Sequence, residues 1–377
     1  MKHLLVLVVC IVYQDPNRDH GVDPKRVDKA IDAGAEWLLK QKYEVWKYHE
    51  WGDCRHHDLV LYTLHHAGVD PKNKVYQELL KFVLEAPLER TYCVSLQAMY
   101  LSEVDPVKYQ WRLKQIGQFL VDNQCKNGQW LYGKEVPIDK DMPTTGHGES
   151  DDVATGGTAA PPKPKPKPKK KGPVIQVKRR PKALAALETG DNSNTQYAVL
   201  GLRACIEANV MPPADTLKQV EDWFAKSQGK DGGWCYGEKD AGASYGSMTV
   251  GAVASLIIIK HYTKQNWRAD RNIAEGFAWL IKNWDVKKNP GTKEGFIWLY
   301  YYLYAIERAG ILSDLDTFGK LDWYKEGATF ILDQQQSDGR WEEGSSYGGN
   351  VKDTCFAILF LRRATPPLPK VATGEKR

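Results

Sequence analysis

Apolar positions recur every three to four residues in stretches such as VDKAIDAGAEWLLKQ, LKQVEDWFAKSQ and RNIAEGFAWLIKNW, the period of a helix with one buried face. Amphipathic stretches of this kind lie near 24–41, 73–85, 107–124, 213–228, 268–284 and 320–336. Each precedes a segment far richer in apolar residues, near 56–67, 91–103, 192–208, 247–262, 294–309 and 352–364, of which TVGAVASLIII and FIWLYYYLYAI are examples. A helix that is apolar on all sides belongs inside a protein. The alternation predicts six helical hairpins, with the amphipathic members forming an outer ring and the apolar members an inner one. The expected fold is an all-α (α/α)6 toroid over residues 24–365, preceded by a lead-in at 1–23 and followed by a tail at 366–377.

Three sites share the pattern Q-x-x-x-G-x-W: Gln124–Trp130, Gln228–Trp234 and Gln335–Trp341. Each joins an outer stretch to the inner stretch that follows it. The pattern resembles the QW motifs of squalene-hopene and oxidosqualene cyclases, and the six-hairpin plan is similar to that of protein prenyltransferase β subunits. The resemblance covers roughly residues 24 to 365. It implies that Gln124, Gln228 and Gln335, with Trp130, Trp234 and Trp341, tie neighbouring hairpins together. It also implies an isoprenoid or another apolar ligand in the central cavity.

The periodicity fails over 134–186, where alternating Lys and Pro favour an extended chain without internal hydrogen bonds. This reads as a disordered Pro/Lys-rich insertion. Between Lys163 and Lys182 lie ten basic residues and no acid, so the formal charge of +5 hides a remainder at −5. The folded part gives no footprint for nucleic acid. The basic segment 163–182 is expected at the rim where the inner-helix N-termini converge. There it could gate an anionic ligand or tether the protein to an anionic membrane surface or partner. At the N-terminus, MKHLLVLVVCIVYQ carries a short apolar run from Leu4 to Tyr13 that suits a signal-peptide core, so export is expected. Seven scattered cysteines permit disulfides without implying them, and Cys54, Cys93 and Cys355 could pair, bind metal or pack.

The squalene-hopene resemblance supplies a test of chemistry. Those enzymes carry D-x-D-D-T at the start of one inner helix, with the central Asp protonating the substrate. Registered on Thr195, the motif falls here on Asp191, Asn192, Ser193 and Asn194. Ser193 then stands where the acid should be, beside Asn194, and a hydroxyl is no strong Brønsted acid. Protonation of that type is disfavoured, and Asp191 reads as a helix cap. The prenyltransferase resemblance points instead to zinc. Asp353 and Cys355 form D-x-C on the last inner helix, and closing the toroid places His56 opposite; the three are chemically sound zinc ligands.

The fifth inner helix is dense in aromatics, and Trp298, Tyr301 and Tyr302 are expected to line the cavity, where aromatic faces stabilise cations. Asp58, Glu294 and Asp353 lie near inner-helix starts and could instead form the facing carboxylate pair of a carbohydrate-active barrel. Three functions compete: an isoprenoid-binding, terpenoid-cyclase-like or zinc-dependent prenyltransferase-like toroid; a non-catalytic envelope scaffold; and a carbohydrate-active barrel. A wide apolar centre would favour the first, and a centre filled by aromatic side chains the second. Facing rim carboxylates without an apolar pocket would favour the third.

Overall fold

The computed structural model describes residues 20–48, 52–136, 171–180, 187–238, 242–343 and 349–369, with side chains omitted at 46–48 and 52–54. The signal-like run and most of the expected insertion lie outside the described residues. Among the described residues, twelve α-helices form six hairpins. The outer helices are α1 (Pro24–Leu39), α3 (Lys74–Glu85), α5 (Gln110–Asp122), α7 (Ala214–Ser227), α9 (Arg271–Lys282) and α11 (Trp323–Gln334). The inner helices are α2 (His57–Ala67), α4 (Thr91–Val104), α6 (Asn192–Glu207), α8 (Gly246–Tyr262), α10 (Leu299–Ser313) and α12 (Asn350–Arg362).

Burial follows the apolar pattern. In α8 every residue from Gly246 to Ile259 is buried, whereas α3 buries only Tyr76, Leu79 and Val83. The inner helices pack in chain order, α2 on α4 and so on round to α12, which packs back on α2 and closes the ring. Polar caps set the starts of several outer helices. Asp23, Asn73, Asp270 and Asp322 each accept a hydrogen bond from a backbone N–H of the first turn. No helix among the described residues is long and apolar enough to cross a membrane.

The three Q-x-x-x-G-x-W repeats make the same hydrogen bonds. The Gln side-chain amide donates to the carbonyl of its own repeat's Gly and to a carbonyl on the next outer helix. The second acceptors are Thr216 on α7, Asn272 on α9 and, closing the ring, Ala30 on α1. Each Trp indole donates to the carbonyl ten residues earlier, on Leu120, Phe224 or Ile331, and its backbone N–H donates to a Thr of the inner helix. The repeat's central Gly has positive φ, and a Cβ at Gly128 would run into the Gln219 carbonyl. Only glycine meets both conditions.

Two short strand pairs accompany the helices among the described residues. β1 (Val45–Tyr48) and β2 (Gly52–Arg55) form an antiparallel hairpin with Val45 opposite Arg55. β3 (Ile175–Gln176) pairs in parallel with β4 (Val210–Met211). The second pair corrects one expectation. Residues 171–180 belong to the segment read as disordered insertion and free basic arm, yet they dock on the ring. Val177 is buried, Gln110 and Gln118 donate to the carbonyls of Pro173 and Lys178, and Arg180 pairs with buried Asp122. Arg179 donates to Gln124 and lies near Asp215. The apolar triplet Val174–Ile175–Val177, hidden in a Lys/Pro-rich context, supplies the strand. The rest of the expected arm, 163–170 and 181–182, lies outside the described residues.

Candidate functional site

The inner helices share one direction, so their N-termini meet at one rim and their side chains lean toward it. At the start of α6, Asp191 is the N-cap. Its Oδ1 accepts from the Asn194 N–H at 2.7 Å and the Ser193 hydroxyl at 2.9 Å, and its Oδ2 accepts from the Asn194 side chain at 2.8 Å. Burial raises its pKa, and these bonds hold it down in part. Most of its oxygen contacts are local and serve the helix end, and the Tyr236 hydroxyl reaches it from the loop after α7. Ser193 is half-buried and also reaches the hydroxyls of Tyr92 and Tyr236. Asn192 accepts from Gln129 and from the Trp223 indole.

The expected zinc ligands do not come together. No group of three or more His, Cys, Asp or Glu side chains suited to a metal exists among the described residues. Helix α12 begins at Asn350, so Asp353 and Cys355 both lie on helical turns, roughly 200° apart around the axis. Cys355 is fully buried in the core beside Thr63. Asp353 accepts the Glu343 N–H at 3.0 Å, and burial together with the Glu343 charge pushes its pKa up to about 7. Burial and nearby Lys352 push His56 down to about 4, which keeps it neutral. The five cysteines with described side chains, Cys93 and Cys355 among them, are all buried and joined in no disulfide with one another.

The carboxylates proposed for a carbohydrate site are also placed elsewhere. Asp58 is buried against Arg55 at 2.8 Å and accepts from Gln97 at 2.8 Å. Glu294 is exposed on the loop before α10, because that helix begins five residues later than the apolar pattern suggests.

The aromatic expectation divides. Trp298 stands outside the ring, exposed at the rim with positive φ, and the Lys352 ammonium sits 4.3 Å from its ring. Tyr302 faces α8, where a Cβ on Gly246 would meet its ring. Tyr301 does point to the centre. It stacks on Tyr197 at 6.0 Å, exchanges a hydrogen bond with Tyr92 at 3.2 Å and meets Phe356 edge-on. Tyr304 and Arg308 lie on the same face of α10 as Tyr301, at spacings of three and seven residues. Tyr304 stacks on Phe356 at 5.8 Å.

Arg308 was missed by the sequence reading. Its guanidinium is 1 % exposed, lies 4.5 Å from the Tyr304 ring and 5.3 Å from the Tyr197 ring, and donates through Nη2 to Gln196 Oε1 at 2.9 Å. ERAG near a helix end reads as a polar terminus. The signal was its position four residues after Tyr304 and seven after Tyr301, on the aromatic face of the helix.

The ring centre is thus occupied by Tyr197, Tyr301, Tyr304, Phe356 and Arg308. A groove of about 320 Å³ lies elsewhere, on the outer surface between α1 and α11, lined by Arg26, Lys29 and Gln336.

No protein-family model and no curated protein matches the chain. Solved structures do. A type II terpene cyclase, MstE from Scytonema, superposes with a TM-score of 0.50 at 11 % identity, covering 90 % of this chain and 99 % of that one. A variant of the same enzyme in complex with merosterolic acid A gives 0.51 at 11 %, over 90 % and 97 %. A possible member of the GH105 family from Salmonella enterica gives 0.54 at 10 %, over 92 % and 95 %. Identities this low establish the fold alone: the chain is an α/α toroid like theirs.

Proposed function

We propose that this protein is a non-catalytic toroid, a rigid platform that presents its rim to a partner. The observation that carries the reading is the filled centre, where Tyr197, Tyr301, Tyr304 and Phe356 pack around Arg308. A cyclase needs that volume for its substrate and a dry, protonated acid aimed into it. Here the corresponding position carries Ser193, and Asp191 is held by the cap and by Tyr236. The rim suits a contact surface: Tyr236, Phe296 and Trp298 stand exposed on a frame tied by three repeated Gln–Trp linkages. The basic segment outside the described residues, 163–170, and the signal-like N-terminus fit a tethered envelope protein.

The isoprenoid-binding reading keeps one observation in its favour, the tyrosine-rich lining shared by α4, α6 and α10. Native mass spectrometry of the full chain with squalene, a polyprenyl diphosphate and zinc separates the two. The platform reading expects the bare mass with each addition. A retained lipid or a stoichiometric zinc adduct would overturn it.

A further inference from the structure

Arg308 raises a problem that platform and isoprenoid readings alike leave unsolved. A guanidinium at 1 % exposure keeps its charge, and a buried charge is stable only if paired and hydrogen-bonded. Arg308 forms no ion pair among the described residues. The nearest carboxyl, Glu307 on the same helix, is turned to Thr365, whose N–H and hydroxyl donate to its two oxygens at 2.9 and 2.6 Å. The hydrogen bond from Nη2 goes to a neutral amide. Nη1 meets no acceptor, and neither does Nε2 of the same Gln196, although both are buried. The hydroxyls of Tyr197 and Tyr304, whose rings lie against the guanidinium, are also buried; the Tyr197 oxygen turns to Arg308 and the Tyr304 oxygen to Tyr62, and neither gives its own proton to an acceptor.

These orphans share a character. Nη1 and Nε2 can only donate, and each hydroxyl has a proton to give. Four unmatched donors around one unbalanced positive charge call for an acceptor that carries negative charge. The amide orientation agrees: with Oε1 committed to Arg308, Nε2 is the end left over. Gln196 lies in the second turn of α6, so the positive end of that helix adds to the field.

We propose that the toroid centre binds one small monovalent anion of halide size, held by Arg308 Nη1 and Gln196 Nε2 with the hydroxyls of Tyr197 and Tyr304. One guanidinium balances one negative charge, and a divalent anion would leave the excess buried. Tyr197, Tyr301, Tyr304 and Phe356 pack on one another there, which favours a single small ion over any larger ligand. The anion would lock α6 to α10 across the ring, making it a structural ligand independent of whatever the rim recognises.

The test uses the full chain. Thermal unfolding is followed while chloride or bromide replaces gluconate at constant ionic strength, and bromide is located by anomalous diffraction. Saturable stabilisation by halide is expected, with a bromide peak within hydrogen-bonding distance of Arg308 Nη1. Arg308→Met should abolish the halide response, and Gln196→Met should weaken half-saturation about tenfold, the worth of one charge-assisted hydrogen bond. Identical unfolding in halide and gluconate, or no bromide peak at the centre, would overturn the proposal, as would an Arg308→Met protein that keeps the response. If Arg308→Met fails to fold, Gln196→Met and the bromide map decide the matter.

Discussion

A carboxyl group whose burial outweighs its partners makes folding sensitive to pH. Glu307 is in that position: burial raises its pKa to about 7, while its bonds to Thr365 and the nearby charges of Arg308 and Arg363 lower it only in part. The unfolded chain releases this proton near the ordinary glutamate value of about 4.3. Between those limits the folded state binds more protons than the unfolded one, so this group's contribution to stability falls as pH rises. Glu307→Gln should therefore gain stability relative to wild type between about pH 4.5 and pH 7, with the difference levelling above that window. Parallel urea denaturation at several pH values measures it. A difference independent of pH would show that Glu307 is already ionised in the folded protein.

Asp191 allows a second test at this scale. As an N-cap with three hydrogen bonds, it should cost about 1–2 kcal/mol when changed to Ala. Ser193→Ala, which leaves the cap in place, should cost much less. Equal losses would mean that Ser193's contacts with Tyr92 and Tyr236 matter as much as the cap. The register that placed Ser193 at the acid position was visible in the sequence. The isolation of Arg308 was not, because an arginine's burial depends on what five other helices leave around it.

At the scale of elements, the repeats act as staples. Gln335 bonds the carbonyls of Gly339 and Ala30, joining the last hairpin to the first. Gln335→Leu leaves both acceptors without their donor and should cost about 1–3 kcal/mol in equilibrium denaturation. A loss under about 0.5 kcal/mol would show that helix packing alone closes the ring. The docked segment around β3 makes a local test. Val177→Asp buries a charge under the strand and should release residues 171–180, seen as faster amide exchange there and at Val210–Met211. Unchanged exchange would contradict the docking.

The helices were legible because apolar periodicity spans whole turns. All twelve stretches became helices, with most ends within a few residues. The errors have physical causes. α10 was started at 294 because Phe296 continues its apolar run, but positive φ at Gly295 and Trp298 holds that stretch in a loop. The β3 segment was hidden because two residues of strand pairing carry no period, and its partner β4 lies more than thirty residues away. Asp353 and Cys355 looked like a ligand pair because they stand two residues apart, but on a helix that spacing turns them to different faces.

At the scale of the molecule, an inner ring of nearly all-apolar helices could either enclose a cavity or fill itself. Large aromatics decide between these. Tyr197, Tyr301, Tyr304 and Phe356 converge from α6, α10 and α12, and the volume they occupy is volume a ligand would need. The likeness to the terpene cyclase and to the GH105-family structure fixes the frame without choosing the chemistry. Both rest on the same ring of hairpins, and what differs between such proteins lies in the side chains aimed at the centre and the rim.

The most direct measurement of whether this ring is filled is equilibrium binding of a fluorescent polyprenyl probe. The full-length protein would be compared with a Tyr301→Ala, Phe356→Ala variant checked for folding by circular dichroism. The filled-ring account expects no saturable binding to the wild type and a gain of binding in the hollowed variant. Saturable binding to the wild type that is lost in the variant would show that these aromatics line an occupied pocket, and would contradict it.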